Sequence, residues 1–162
     1  MQPTSLPTSL PDDLIGRVRE LYGRLEQELE PHQHLCRRSG VCCDFRVAGH
    51  TLFASELEVQ YLLAHRAVDW EPEGELCPFW KGGLCHARAE RPLGCRTYFC
   101  DPGWRDQGAA IHERYHRDLA NLAEAAGLEY RYGPWVDRLR ALSRSRSERK
   151  SELPLDPPSG AT

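Results

Sequence analysis

The chain has 162 residues, with 24 acidic against 21 basic side chains and a formal charge of −3, so nothing in its balance attracts phosphate backbones or anionic lipid. That length suits one ordinary domain, and a mean hydropathy of −0.60 leaves only a modest core. The longest apolar runs, such as Tyr61-Leu62-Leu63-Ala64, are far too short for a transmembrane helix.

Residues 1–10 are rich in Pro, Ser and Thr and are expected to form a flexible arm. MQPTSLPTSLPDD has neither a basic n-region nor an apolar h-region, so no secretory signal is expected and a cytoplasmic location follows. Leu14, Val18, Leu21, Leu25 and Leu29 step by three and four, which predicts an amphipathic helix from Pro11 to Glu30 ended by Pro31. A capping-box pair, Ser55 and Glu58, precedes Val59, Leu62 and Leu63 and predicts a second helix. A third runs from about Asp106 to Ala126, with Gly127 as its C′ residue. Between them, Glu71 to Trp104 has no sustained period, and short strands and turns are expected there. Leu128 to Tyr132 alternates as a short strand would, leading into a short helix around Val136 to Leu142. Tyr130, Tyr132 and Trp135 are expected to pack on the third helix. The reading is a helix-dominated α+β domain over residues 11–142 with an irregular, metal-stapled, Cys-rich middle, followed by a disordered tail over 143–162. The basic stretch Arg138 to Lys150 has no interleaved aromatics and reads as a solvated end, so no nucleic-acid partner is expected.

The chemistry lies in the cysteines, seven of them against one methionine. Cys36, Cys42 and Cys43 fall within 8 residues, and Cys77, Cys85, Cys95 and Cys100 within 24. In a reducing compartment such clusters bind metal rather than form disulfides, and an odd count leaves a disulfide framework unpaired. Gly82-Gly83 is a turn signal that folds Cys77 and Cys85 toward each other, and Gly40 allows a tight bend before Cys42. Pro78 and Pro92 stiffen the approaches to Cys77 and Cys95. Zinc-finger spacing is absent, whereas iron–sulfur clusters accept loose, loop-based thiolate spacing, so an iron–sulfur cluster is favoured slightly over zinc. All seven cysteines are candidate ligands, Cys36 the least favoured. In extended backbone, adjacent Cys42 and Cys43 point apart, which allows one of the two at a given site. His34 and His86 adjoin the cysteine segments and could complete a ligand set. Arg96 could neutralise thiolate charge, and Phe79, Trp80, Tyr98, Phe99 and Trp104 could wall the metal from water.

CPFWKGGLC, then RPLGCR, then Cys100 resemble the YkgJ-like cysteine-cluster family, a zinc- or iron-chelating domain. The family's first motif is C-x-x-C-x-x-C-C; Cys36, Cys42 and Cys43 match its first, third and fourth cysteines, and Ser39 stands at the second. The resemblance covers about Cys36 to Cys100. It implies a small bacterial-type metal-chelating protein without an established reaction, and it leaves this site one thiolate short if the second cysteine is a ligand. A similar pattern occurs in flagellin lysine N-methylases, which implies a metal-dependent redox or methyl-transfer enzyme as the alternative. A further enzymatic alternative comes from His112-Glu113-Arg114-Tyr115-His116, an H-E-x-x-H pattern on a predicted helix. Zinc peptidases use such a pattern, with two histidines on the metal and the glutamate as general base.

Overall fold

The computed structural model describes residues 9–66 and 76–152. Most of the expected N-terminal arm and residues 153–162 of the expected tail lie outside them. The molecule is a helix-dominated α+β domain, 63% helical with a few short antiparallel strands. In chain order it runs α1 (Asp12–Leu29), a 3-10 segment (Glu30–Leu35), a 3-10 turn (Val41–Cys43), α2 (Phe45–Ala48), β1 (Phe53–Ser55) and α3 (Glu56–His65). There follow β2 (Trp80–Lys81), β3 (Leu84–Cys85), α4 (Leu93–Thr97), a 3-10 turn (Pro102–Trp104), α5 (Arg105–Ala125), β4 (Tyr132–Pro134) and α6 (Trp135–Glu152). No described helix is long and apolar enough to cross a membrane.

α1 buries Leu14, Val18, Leu21, Tyr22, Leu25 and Leu29, the stripe its periodicity predicts. Pro31 does not end the chain's helical course; it sits early in a 3-10 segment that continues to Leu35. α5 lies against α1 and contributes Ile111, Tyr115, Leu119 and Ala123 to the same core, joined by Leu57, Tyr61, Leu93, Phe99 and Trp104. A second core gathers Phe45, Leu52, Ala54, Val59, Leu62, Leu63, Cys77, Phe79, Ala87, Trp135 and Leu139. α3 stands between the two and is buried at every position from Glu56 to Leu63, as a helix covered on all sides must be.

The expected strand at Leu128 to Tyr132 forms further along, at β4, which pairs antiparallel with β1 in the register Phe53↔Pro134, Ala54↔Gly133 and Ser55↔Tyr132. Gly133 carries that register because a Cβ there would meet the Arg138 guanidinium at 2.7 Å. α6 extends past the expected Leu142 to Glu152, because its Arg-, Ser- and Glu-rich sequence tolerates helix without needing a core.

The Ser55 and Glu58 capping box forms as the sequence indicates. Its glutamate does more than cap. Glu58 is 2% exposed and accepts from the Ser55 N–H (2.7 Å), the Ser55 hydroxyl (2.8 Å), the Tyr22 hydroxyl (3.3 Å) and the Leu93 N–H (2.7 Å). One carboxylate thus joins β1, α1 and the start of α4. Glu58→Ala leaves these four donors without an acceptor in a dry interior, and about 4 kcal/mol of stability is expected to be lost. Urea denaturation measures it; a loss below about 1 kcal/mol would show that the junction holds without the carboxylate.

Candidate metal centre

Two backbone contacts bring the distant cysteine segments together. The Cys77 N–H donates to the Cys43 carbonyl at 2.7 Å, and Asp44 and Leu76 form an antiparallel bridge beside it. Asp44 also caps α2, accepting from the Val47 N–H at 3.3 Å, so the turn bearing Cys42 and Cys43 is held from both ends. The expected hairpin is present: Trp80 pairs with Cys85 and Lys81 with Leu84, around Gly82 and Gly83 at φ +59° and +80°. Gly40, at φ +73°, lies under that hairpin, where a Cβ would collide with the Trp80 indole nitrogen. Cys95 rides on α4, whose first residue, Leu93, is fixed by Glu58.

The result is one cavity of about 170 Å³ lined by all seven cysteines. Cys77 is buried, Cys36, Cys42, Cys43, Cys85 and Cys95 are half-buried, and Cys100 is exposed at the rim. All seven are free thiols. Cys42 and Cys43 both line the cavity, against the expectation that one would point away. That expectation assumed extended backbone, whereas the pair sits in a 3-10 turn.

Cys43 is the centre of the group. Its thiol feels those of Cys42, Cys77 and Cys85, the neighbours that shift it most. The contact with Cys43 holds Cys42 down to about 7, Cys85 down to about 6, and Cys77 below the usual thiol range. Cys43 itself is pushed up by the same contacts, the one to Cys42 foremost. Burial pushes Cys95 well up, with the nearby charges of Cys77, Cys85 and Cys42 adding to it. Among the described residues, no group of three or more His, Cys, Asp or Glu side chains is arranged to hold a metal ion.

The other expected participants divide. Phe79 and Tyr98 line the cavity, but Phe99 and Trp104 belong to the core between α1 and α5. His34 and His86 are exposed and donate to the Pro31 and Lys81 carbonyls at 3.0 and 3.3 Å. Ser39 borders the cavity, and its hydroxyl accepts from the Val41 N–H at 3.4 Å. Arg96 does not face the thiols: it donates to the Arg91 and Ala89 carbonyls and to Glu26, and lies over the Tyr22 ring at 3.9 Å. Of the arginines lining the cavity, Arg38, Arg88 and Arg91, the buried one is Arg91, 8% exposed. Its positive charge favours the thiolates of Cys42, Cys85 and Cys95. Arg91 lies in the RPLGCR segment, but its sequence position gives no sign that it, rather than Arg96, turns inward. Trp135, expected against α5, instead packs on Phe79 with ring centroids 6.4 Å apart and closes the back of the cavity. His50, which no spacing suggested, donates to the Cys42 carbonyl at 3.3 Å and stacks on Tyr98 at 5.2 Å.

The H-E-x-x-H residues stand elsewhere on α5. The His112 and His116 ring centroids are 5.8 Å apart, with His112 Nδ1 at 3.2 Å from the Thr97 hydroxyl and His116 beside Tyr132 at 4.5 Å. His112 and Glu113 border a second groove of about 530 Å³ that shares Gly94, Tyr98 and Cys100 with the thiol cavity.

No family model, curated protein or solved structure matches the chain.

In the metal-free protein, alkylation follows the thiolate fraction. Cys85 and Cys42, held at about 6 and about 7, are expected to react with iodoacetamide at pH 7.5 and to fall silent as pH drops through 6. Cys43 and Cys95 stay unlabelled until strongly alkaline pH, because their thiols are pushed up. Peptide mass spectrometry across the pH series reads the order, and equal labelling of Cys43 and Cys85 at pH 7.5 would overturn it.

Proposed function

We propose that this protein is a metal-binding module whose thiols hold an iron–sulfur cluster or zinc. Cys42, Cys43, Cys77, Cys85 and Cys95 form its inner ligand set, with Cys36 and Cys100 at the mouth. The supporting observation is one cavity lined by all seven cysteines, in which Cys42, Cys77 and Cys85 act on the Cys43 thiol. A thiophilic cation replaces the S–H hydrogens and is attractive to every thiolate at once. The chemistry of the donors suits such a centre, being all sulfur with a buried arginine beside it to offset negative charge, and a cation would draw them together. A cavity of about 170 Å³ is several times the roughly 30 Å³ share of one water, room enough for the inorganic sulfide of a cluster. The iron–sulfur form is therefore favoured over zinc. A cluster supplies one-electron transfer; a zinc site supplies folding energy.

The resemblance to the YkgJ-like cysteine-cluster family supports the same reading, as does a reducing, cytoplasmic setting in which the thiols stay free. An enzymatic role, redox or methyl transfer, is the second reading. Its support is the groove beside the cavity, where a substrate would reach Cys100 and the metal. The peptidase alternative has less, since His112 and Glu113 border the groove while His116 packs against Tyr130 and Tyr132 instead.

Anaerobic purification followed by iron, zinc and acid-labile sulfide analysis, with a visible spectrum, tests the proposal. Bound metal in the unsubstituted chain, at least tenfold less in Cys43→Ser and unchanged content in His112→Ala are expected. A metal-free protein, or loss confined to His112→Ala, would overturn it. Acid acts in a definite direction. Metal requires deprotonated sulfur, and Cys85 and Cys42 regain protons as pH falls through about 6 and about 7. Metal is therefore expected to be retained at pH 8 and released toward pH 5, as equilibrium dialysis with a chelator would record.

A further inference from the structure

Two buried N–H groups on the cavity wall lack acceptors. Arg91 is 8% exposed and its Nε has no hydrogen-bond partner. Trp135 is 1% exposed; its indole nitrogen lies near the Cys77 sulfur without completing a hydrogen bond to it or to any other atom. Leaving a buried donor unmade costs about 1–3 kcal/mol, so a pair on one wall calls for an acceptor on the cavity side. The contrast is Trp104, whose indole N–H reaches the Thr97 carbonyl at 2.8 Å in the other core.

Charge points the same way. Glu26 is shared by two buried arginines, at 2.7 Å from Arg96 and 3.5 Å from Arg91. One partly exposed carboxylate cannot neutralise both, and Arg88 on the cavity wall adds a third positive charge. A neutral thiol is a poor acceptor and carries no compensating charge; anionic sulfur supplies both.

We infer that Arg91 and Trp135 are positioning residues for the bound centre, donating their N–H groups to anionic sulfur that a bound metal draws within their reach. This rests on the metal-binding reading and adds to it how the protein recognises the loaded state. The acceptor is either a cysteine thiolate or an inorganic sulfide of a cluster; both are anionic sulfur, and both take a charge-assisted hydrogen bond.

The two states differ in what removal of the donor does. In the metal-free chain the N–H has nothing to bond, so deleting it is neutral or stabilising. In the loaded chain it removes a hydrogen bond to the centre, which for such outer partners costs about 10–100-fold in metal affinity. Trp135→Phe keeps the ring and Arg91→Met keeps an unbranched stem. Each is measured in the full chain under anaerobic conditions, once with Zn²⁺ alone and once with Fe²⁺ plus sulfide, by chelator competition. Thermal unfolding of the metal-free forms runs alongside. Expected are affinity losses of about tenfold or more with metal-free stability unchanged or raised, while Trp104→Phe shows the reverse, a less stable metal-free chain with affinity kept. Weakening with Zn²⁺ as well as with Fe²⁺ plus sulfide places the acceptors on the thiolates; weakening confined to iron and sulfide places them on sulfide. If Trp135→Phe and Arg91→Met both bind as tightly as the unsubstituted chain, or if Trp135→Phe destabilises the metal-free form as Trp104→Phe does, the inference falls and the metal-binding reading stands. If the unsubstituted chain binds neither preparation, both fall.

Discussion

The architecture turns on a carboxylate taken out of water. Glu58 stands where α1, β1, α3 and α4 converge, and its two oxygens meet donors from α1 and α4 besides the Ser55 cap at the end of β1. A buried carboxylate is costly unless it is hydrogen-bonded, and that cost favours an arrangement that brings these donors to it. Through the Leu93 N–H the same oxygen sets where α4 begins, and α4 carries Cys95 toward the cavity and Arg96 away from it. The polar centre of the fold and the position of the thiols are therefore one constraint.

The thiols are brought together by means that owe nothing to sulfur. The Cys77 N–H bond to Cys43, the Asp44–Leu76 bridge, the two-glycine hairpin and the cap on α2 would each form with other side chains in place of cysteine. Backbone hydrogen bonding thus overcomes the mutual repulsion of groups that would otherwise ionise near one another. The arrangement that results sets seven thiols around one cavity with two buried arginines sharing a single carboxylate behind them. Such an imbalance is the expected signature of a scaffold shaped for an occupied state, and it ties together the proposed centre and the inferred donors.

Much of this was legible in the chain. Leucine spacing gave α1, Ser55 and Glu58 gave α3, and Gly82-Gly83 gave the hairpin, because each is a local rule acting within a few residues. What the sequence hid depends on which way a side chain turns after the elements pack. Arg91 and Arg96 are five residues apart in one segment, and only the α4 geometry sends the second back over Tyr22. Trp135 reads as one aromatic among several near α5; its placement follows from β4 pairing with β1, a contact nearly 80 residues apart in sequence. The 3-10 turn at Cys42 and Cys43 is too short to leave a periodic trace, and so two thiols expected to diverge share one cavity.

The C-terminal helix is where fold and site meet most closely. The Trp135 N–H is anchored on the Leu52 carbonyl at 2.8 Å, which fixes the start of α6 at the end of the β1–β4 ladder. The indole then lies against Phe79 and closes the cavity, while Leu139, one turn on, enters the same core. A cation drawing Cys77 and Cys43 together would tighten the wall that Trp135 and Phe79 form, because Cys77 is itself a member of that core. The apolar packing of α6 and the binding of metal then stabilise the same conformation.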